Sequence, residues 1–416
     1  MINTSILFLF IAGIFLVGFF GNLFFRKTKI SDLVILIIIG FVLGPGLHLI
    51  PSTYLSILKS FAPFVGAIAL MVLLFEGGLS LNFYKVLKEL SKTTIFTIFV
   101  FSLTVVFMTL FLHILFAIPV LYAILIGAIV GGTSSAVIVP LIKDTKIEEN
   151  TKTLLTLESA ITDSLCVVIA MVVIDIILVK TTSITSIAQN IFGAYAIAIL
   201  IATVGGIIWM KVLRDFNYAK EYSYLLTLSF LMFLYVLIEF AKGNGAIGAL
   251  VFGIILGNSF AITKILKIKE FTLSTDITRF QSEISLFIKA FFFVYLGMII
   301  DLSGITSRVA FISILAILFI LLARYIAIEL LAKKNNDIKT NKRVIFSLHA
   351  RGLAAAVLAT LPIAMNIVNP FTIMILPIAF LVIIVTNITT TIYFYLFQKN
   401  ITFGFIKHND PEDPKK

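Results

Sequence analysis

The chain has 416 residues, of which 60% are hydrophobic and 13% charged, with a formal net charge of +11. A soluble domain carries about 45–50% apolar and about 25% charged residues, so a water-soluble fold is excluded and 1–416 reads as one all-α membrane domain. The basic excess does not mark a nucleic-acid binder, because the cations follow the membrane topology set out next.

A transmembrane helix needs about 20 mainly apolar residues. Thirteen windows meet this, near 4–25, 31–50, 60–82, 93–116, 118–142, 152–179, 184–212, 221–241, 244–263, 281–301, 309–332, 343–365 and 370–397. The boundary between the fourth and fifth rests on Ala117, Ile118 and Pro119 alone. The first window lacks a charged leader and a small-residue cleavage site, so it is expected to remain as a helix. The polar tail 398–416, with HNDPEDPKK, reads as a short solvated end. The single Cys166 excludes an intrachain disulfide and a cysteine-cluster metal site. No cofactor is expected.

When the connectors are assigned alternately to two sides, 25 of the 32 Lys and Arg residues fall on one side and four on the other. The positive-inside rule then places the N-terminus outside and the C-terminus in the cytoplasm of a multi-pass plasma-membrane protein. Unbroken alternation also favours an odd number of spans.

The remaining three cations, Lys289, Arg324 and Arg351, lie inside predicted spans. A charge at that depth costs several kcal/mol and calls for a partner or a function. Arg324 lies toward the cytoplasmic end of its span and is expected to snorkel; Lys289 and Arg351 are too deep for that. The deep acids are Glu76 in LLFEGGLSL and Glu158 and Asp163 in ESAITDSL. Asp175, Glu239, Glu283, Asp301 and Glu329 sit nearer span ends, where water is close. His113 and His349 read as packed or solvated.

Five residues of helix advance about 7.5 Å and turn about 140°, so Glu158 and Asp163 face different ways. Ser159 lies four residues before Asp163 and shares its face. Ser159 and Asp163 therefore suit a small hard cation, while Glu158 is turned to neutralise a buried base.

The fifth and twelfth spans contain GAIVGGTSSAVIVP and HARGLAAAVLATLP. Their glycines and hydroxyls weaken the helix, and such breaks survive in a membrane only where protein or a water-filled cavity satisfies the backbone. Paired broken helices mark ion sites in secondary transporters. The two spans are seven apart, an odd offset that inverts the second copy. Two inverted six-helix repeats are expected, about 4–179 and 221–397, joined by a linker helix near 184–212. LFEGGLSL and VYLGMIIDL form a faint echo at the same offset.

Taken in order, GGTSSAVIVPLI, ESAITDS, FFFVYLGMIIDLS and ARGLAAAVLATLP resemble the NhaP-type monovalent cation:proton antiporters of the sodium/proton exchanger superfamily. The resemblance implies thirteen spans, a homodimer, two crossing unwound helices (spans 5 and 12), and an elevator-like core of six helices moving against a dimerisation domain. It makes Asp163 the ion- and proton-binding aspartate, Ser159 its neighbouring ligand, and Thr133 the ligand of the unwound helix. It pairs Glu158 with the base before FFFV, here Lys289, and sets Glu76 near the site with Arg351 as its partner. The family's unwound helix usually reads Thr-Asp-Pro, whereas this chain has Thr133-Ser134-Ser135. Ser134 thus stands in place of an acid. Thr162 precedes Asp163 where electroneutral members have Asn and electrogenic ones a second Asp.

A partly dehydrated carboxylate holds its proton more tightly, so a proton and a cation compete for it near neutral pH. With one aspartate at the site, one proton per Na⁺ (or Li⁺) is the simplest exchange. The same residues leave open a K⁺/H⁺ antiporter or a sodium-coupled symporter of this fold. An intramembrane aspartyl protease would need a second facing carboxylate, which the sequence does not supply. The expected partners are Na⁺ and H⁺, possible alternatives being Li⁺ and K⁺, with membrane lipid and a second copy of the chain.

Overall fold

In the computed structural model the described residues are 31–46, 62–81, 93–143, 145, 147–178, 184–215, 222–267, 269–300, 304–333 and 336–398, with isolated positions between 12 and 23. Most of the first expected span, the tail from 399 onward and Asp301 lie outside them. Secondary structure among the described residues is helical throughout.

Helix α1 (Asp32–Phe41) runs into a wider π turn at Val42–Gly46, and α2 (Ala62–Ser80) and α3 (Thr93–Phe116) follow. The boundary expected at 117–119 is real. Pro119 cannot donate a backbone hydrogen bond and restricts the residue before it, and Ala117 turns the chain at φ 53°. The fifth span is α4 (Val120–Gly131) and α5 (Ser135–Lys143), separated by the expected break. Helices α6 (Glu149–Leu178), α7 (Ile184–Asp215) and α8 (Ser223–Phe240) are continuous. The ninth span is bent by 77° between α9 (Gly245–Gly257) and α10 (Ser259–Ile265). After α11 (Thr275–Ile299), α12 (Ser307–Ala332) and the short α13 (Asn336–Thr340), the second broken span is α14 (Lys342–Ser347) and α15 (Leu353–Ala364). The chain ends its described part in α16 (Pro370–Ile373) and α17 (Ile375–Gln398). Among the described residues eight helices are long and apolar enough to cross a membrane, or nine if the bent pair counts as one. Exposed apolar side chains such as Ile114, Leu200, Val236 and Ile314 lie on α3, α7, α8 and α12. Hydrocarbon is the solvent that such surfaces suit.

The helices sort into two bundles. In one, α2 packs on α9 and α1 on α11, with α7 and α8 against α9; in the other, α3, α4, α6, α12, α15 and α17 pack together, and α2 and α15 make the main contact between them. The first bundle depends on glycines, because membrane helices gain their packing energy by close backbone approach rather than by expelling water. A Cβ on Gly40 would strike the backbone at Val294, and one on Gly297 the backbone at Ile37. The α2–α9 crossing has the same construction, with Gly78 against the backbone at Leu250 and Gly253 against that at Phe75. Gly44 against Met298 and Gly257 against Leu79 complete a matching set. GFVLG at 40–44 in one half thus packs as GIILG at 253–257 does in the other. In the echo of LFEGGLSL and VYLGMIIDL, Gly78 corresponds to Gly297, which sets Glu76 against Tyr295.

Candidate functional site

The two breaks meet. Ser134 N–H donates to Ala350 O at 2.9 Å, joining the residues between α4 and α5 to those between α14 and α15. Gly352 lies so close to Ser134 that a Cβ there would overlap the serine side chain, and Gly132 is held as tightly against Thr162 and Cys166 of α6. These two glycines permit α6 and the second break to approach the first.

Helix α6 brings three polar side chains to this meeting point. Asp163 Oδ2 accepts from Ser135 Oγ at 2.7 Å and from Ser135 N–H at 3.1 Å. Thr162 Oγ1 accepts from Thr133 N–H at 3.1 Å and lies 3.2 Å from Thr133 Oγ1. It also donates along its own helix to Glu158 O at 2.9 Å. Ser159 is buried and donates to Thr156 O at 3.1 Å, which leaves its oxygen lone pairs available. Ser134 Oγ is buried without a hydrogen-bond partner among the described residues. Asp163, Ser159, Thr133 and Ser134 are therefore brought to one place by α6 and the first break. Asp163 remains half-buried, and Glu76 of α2 and Arg351 are within electrostatic reach of it.

The second half repeats part of this arrangement with different chemistry. Arg351 N–H donates to Thr386 Oγ1 at 3.1 Å, as Thr133 N–H does to Thr162, and Asn387 follows Thr386 as Asp163 follows Thr162. Asn387 Nδ2 bonds Arg351 O at 2.7 Å.

The ion pairs differ from those expected. Glu158 is not paired with Lys289. Both its oxygens bind Arg324, at 2.5 and 3.0 Å, and neither side chain is more than 1% exposed. Arg324 does not snorkel. Its Nε donates to Ile345 O at 2.7 Å and its guanidinium lies 5.9 Å from the centre of the Phe96 ring. Burial of α12 by α3 and α17 blocks the route to water. Lys289 instead binds Asp32 Oδ2 at 2.7 Å, linking α11 to the start of α1. Sequence reasoning passed over Asp32 because an acid in the first turn of a helix is ordinary. Its one signal was Ser31-Asp32 directly before an uninterrupted apolar run.

Arg351 does not pair with Glu76 either. It binds carbonyls: Val130 O through Nε at 2.6 Å, Gly131 O through Nη2 at 3.2 Å and His349 O through Nη1 at 2.8 Å. Those from Val130 and Gly131 are C-terminal carbonyls that α4 cannot satisfy within itself, and a cation there is favoured by the helix dipole. Glu76 is half-buried, with Ser285 and Lys289 close to it. Ser135, the residue nearest to Asp163 by hydrogen bonds, was not singled out from the sequence; the doubled serine after Thr133 was its only mark.

Other expected acids are accounted for locally. Glu239 accepts from Gly245 N–H at 2.7 Å at the start of α9, Glu329 binds Lys342 at 2.7 Å, and Glu283 meets Arg279 at 3.4 Å. His349 is held by Phe346 O at 3.2 Å and Thr389 Oγ1 at 3.0 Å, and His113 by Ile118 O at 3.0 Å.

A carboxylate beside two helix breaks that meet is the arrangement that the sequence resemblance implied. A sequence profile described as "Sodium/hydrogen exchanger, transmembrane" matches residues 7–398. The chain belongs to the sodium/hydrogen exchanger family. This is a family of membrane transporters, not of enzymes. This exchanger-family chain is 26% identical over 291 residues to "Na(+)/H(+) antiporter 1" of Methanocaldococcus jannaschii, a match covering 67% of the chain and 65%, just under two thirds, of that relative. It is 25% identical over 346 residues to "Probable Na(+)/H(+) antiporter 2" of the same organism, covering 81% of the chain and 79% of the relative. The solved structure of the sodium proton antiporter MjNhaP1 from M. jannaschii at pH 8 superposes with a TM-score of 0.73 at 21% identity, over 92% of this chain and 99% of that one. An electron-microscopy structure of MjNhaP1 gives a TM-score of 0.72 at 20% identity, over 98% and 100%. The exchanger fold is thus shared over nearly the whole chain.

Proposed function

We propose that the chain exchanges Na⁺ or Li⁺ for H⁺, one for one, with both ions competing for Asp163. The observation that carries this reading is that Asp163 has no ion-pair partner among the described residues. Glu158 is neutralised by Arg324 and Asp32 by Lys289, whereas Asp163 is held only by the hydroxyl and amide of Ser135 among the described residues. A half-buried carboxylate without a basic partner needs an external charge to neutralise it, and either a proton or a monovalent cation supplies one.

Ser159, Thr133 and the unpartnered Ser134 offer neutral oxygens around Asp163, with Glu76 in reach as a second acid. Oxygen ligands suit hard cations. Thr162 supplies no ionisable group beside Asp163, which favours a single proton per cycle and electroneutral exchange. An empty, charged Asp163 would meet a hydrophobic barrier between the bundles, so the site crosses only when loaded. That rule is sufficient for obligatory exchange. The division into two bundles with glycine-tight packing in one of them fits an elevator-like movement of the site. In the same reading the protein is a homodimer in the plasma membrane with its N-terminus outside, as the cation bias of the connectors favours.

The test is proton flux in proteoliposomes under an imposed pH gradient, with Na⁺, Li⁺ and K⁺ added in turn and the voltage clamped. Cation-dependent flux in the wild type that is lost in Asp163→Asn is expected. A response to K⁺ alone would replace the stated ion, and no proton response to any of the three would refute exchange.

A further inference from the structure

Buried hydroxyls in these helices ordinarily give their proton to a carbonyl one turn back, which is the usual outcome for Ser and Thr in an apolar helix. Ser159 donates to Thr156 O, Thr162 to Glu158 O and Ser164 to Ala160 O. Ser135 stands at the first turn of α5, where no carbonyl of its own helix lies one turn back. Its Oγ–H is directed at Asp163 Oδ2, 2.7 Å away, and its backbone N–H reaches the same oxygen at 3.1 Å. The proline of the usual family pattern would offer neither donor.

We infer that Ser135 is a positioning and specificity-determining residue of the exchange site, whose hydroxyl changes role with the occupant of Asp163. This deepens, and rests on, the assignment of the exchanged ions to Asp163. A hydroxyl has one donor and two acceptor lone pairs and rotates about a single bond. It donates to the free carboxylate, accepts from the protonated acid, and turns an oxygen toward a bound cation. The N–H of Ser135 can only donate, so it keeps Oδ2 in place while the hydroxyl turns. The half-buried position of Ser135 leaves room for this rotation.

The charged and titratable groups facing Asp163 are Glu76 from α2, Arg351 from the second break, and Cys166 on its own helix. None of them makes a hydrogen bond to Asp163 among the described residues, so Ser135 supplies the contacts that distinguish the charged carboxylate from the acid. Removing the hydroxyl disfavours the free carboxylate, strengthens the proton as competitor, and takes one oxygen from the cation.

The experiment measures exchange in proteoliposomes as a function of pH and Na⁺ concentration for wild type, Ser135→Ala, Ser135→Thr and Asp163→Asn. Thermal midpoints are measured on the same preparations. One hydrogen bond to a charged group corresponds to a factor of about ten or more. Ser135→Ala is expected to raise the apparent KM for Na⁺ about tenfold and to move the alkaline shift of half-maximal exchange by about one pH unit. Ser135→Thr, which keeps the hydroxyl, should restore both. An alanine variant with the wild-type pH profile and KM would overturn the inference while leaving the Asp163 reading intact. So would a threonine variant that shares the alanine defect together with a lowered thermal midpoint, since that pattern is a packing effect. A wild type without cation-dependent flux would overturn both proposals.

Discussion

The pair Glu158–Arg324 provides a test of whether buried charge in this fold is balanced locally. The guanidinium is 1% exposed and the carboxylate fully buried, with two hydrogen bonds between them and a third from Arg324 to Ile345 O. Glu158→Gln leaves Arg324 charged and sets an amide NH₂ against one guanidinium nitrogen, so one donor faces another. Breaking a buried pair by removing one partner costs about 3–5 kcal/mol. Replacing both by apolar residues of similar size, as in Glu158→Leu with Arg324→Met, removes the uncompensated charge and should recover much of that loss. An interhelical hydrogen bond within a membrane averages only about 0.6 kcal/mol, so a coupling well above 1 kcal/mol separates an ion pair from ordinary polar packing.

The assay is unfolding by a denaturing detergent from mixed micelles, followed through the fluorescence of the single tryptophan. Trp209 stacks on Phe230 at 4.3 Å and bonds Thr227, so it reports on α7 and α8 rather than on the mutated site. The expected cycle shows two destabilised single variants and a double variant more stable than either. A Glu158→Gln variant as stable as the wild type would refute the reasoning, because it would mean that Arg324 reaches water.

Asp163→Asn should abolish cation-dependent proton flux with no loss of thermal stability, since the amide keeps one acceptor for Ser135; retained exchange would contradict the assignment. Lys289→Met should lower the thermal midpoint by leaving the Asp32 carboxylate buried alone, at a cost of a few kcal/mol, and adding Asp32→Asn should restore much of it. Gly352→Ala should impair folding or abolish exchange, because its methyl group would overlap Ser134 at the crossing; a fully active alanine variant would show that the breaks are farther apart than described. Arg351→Lys should behave as a damaging change, because an ammonium lacks the planar fork that serves carbonyls of Val130, Gly131 and His349 together, and the activity and stability of the purified variant would measure it. Exchange should fall at acidic pH, where protons displace the cation, and at alkaline pH, where few protons are available to carry back; a flat profile would count against competition at one site.

The spans that fall on described helices, the boundary at 117–119 and the two breaks were legible in the sequence because they follow from local properties. A run of apolar residues long enough to cross hydrocarbon states its own structure, and Gly132 and Gly352 with their neighbouring hydroxyls mark where the helix fails. Asp163 was legible for a similar reason, since a carboxylate inside such a run is costly without a function. The small-residue spacing of GFVLG and GIILG was visible as well, but not which helices it would join.

The identity of each charge's partner was decided by tertiary structure alone. Composition and hydropathy state that Lys289, Arg324 and Glu158 must be compensated, because burial of an unpaired charge is too costly, but they give no direction in space. The partners lie 166 residues apart for Glu158 and Arg324 and 257 apart for Asp32 and Lys289, and only the packing of α6 and α12 against α3, and of α1 on α11, brings them together. The carbonyls of Val130 and Gly131 are free to accept from Arg351 only because α4 ends at the break. The two donors from Ser135 reach Asp163 only because α5 begins beside α6. Local sequence thus sets which groups need compensation, and helix packing sets what compensates them.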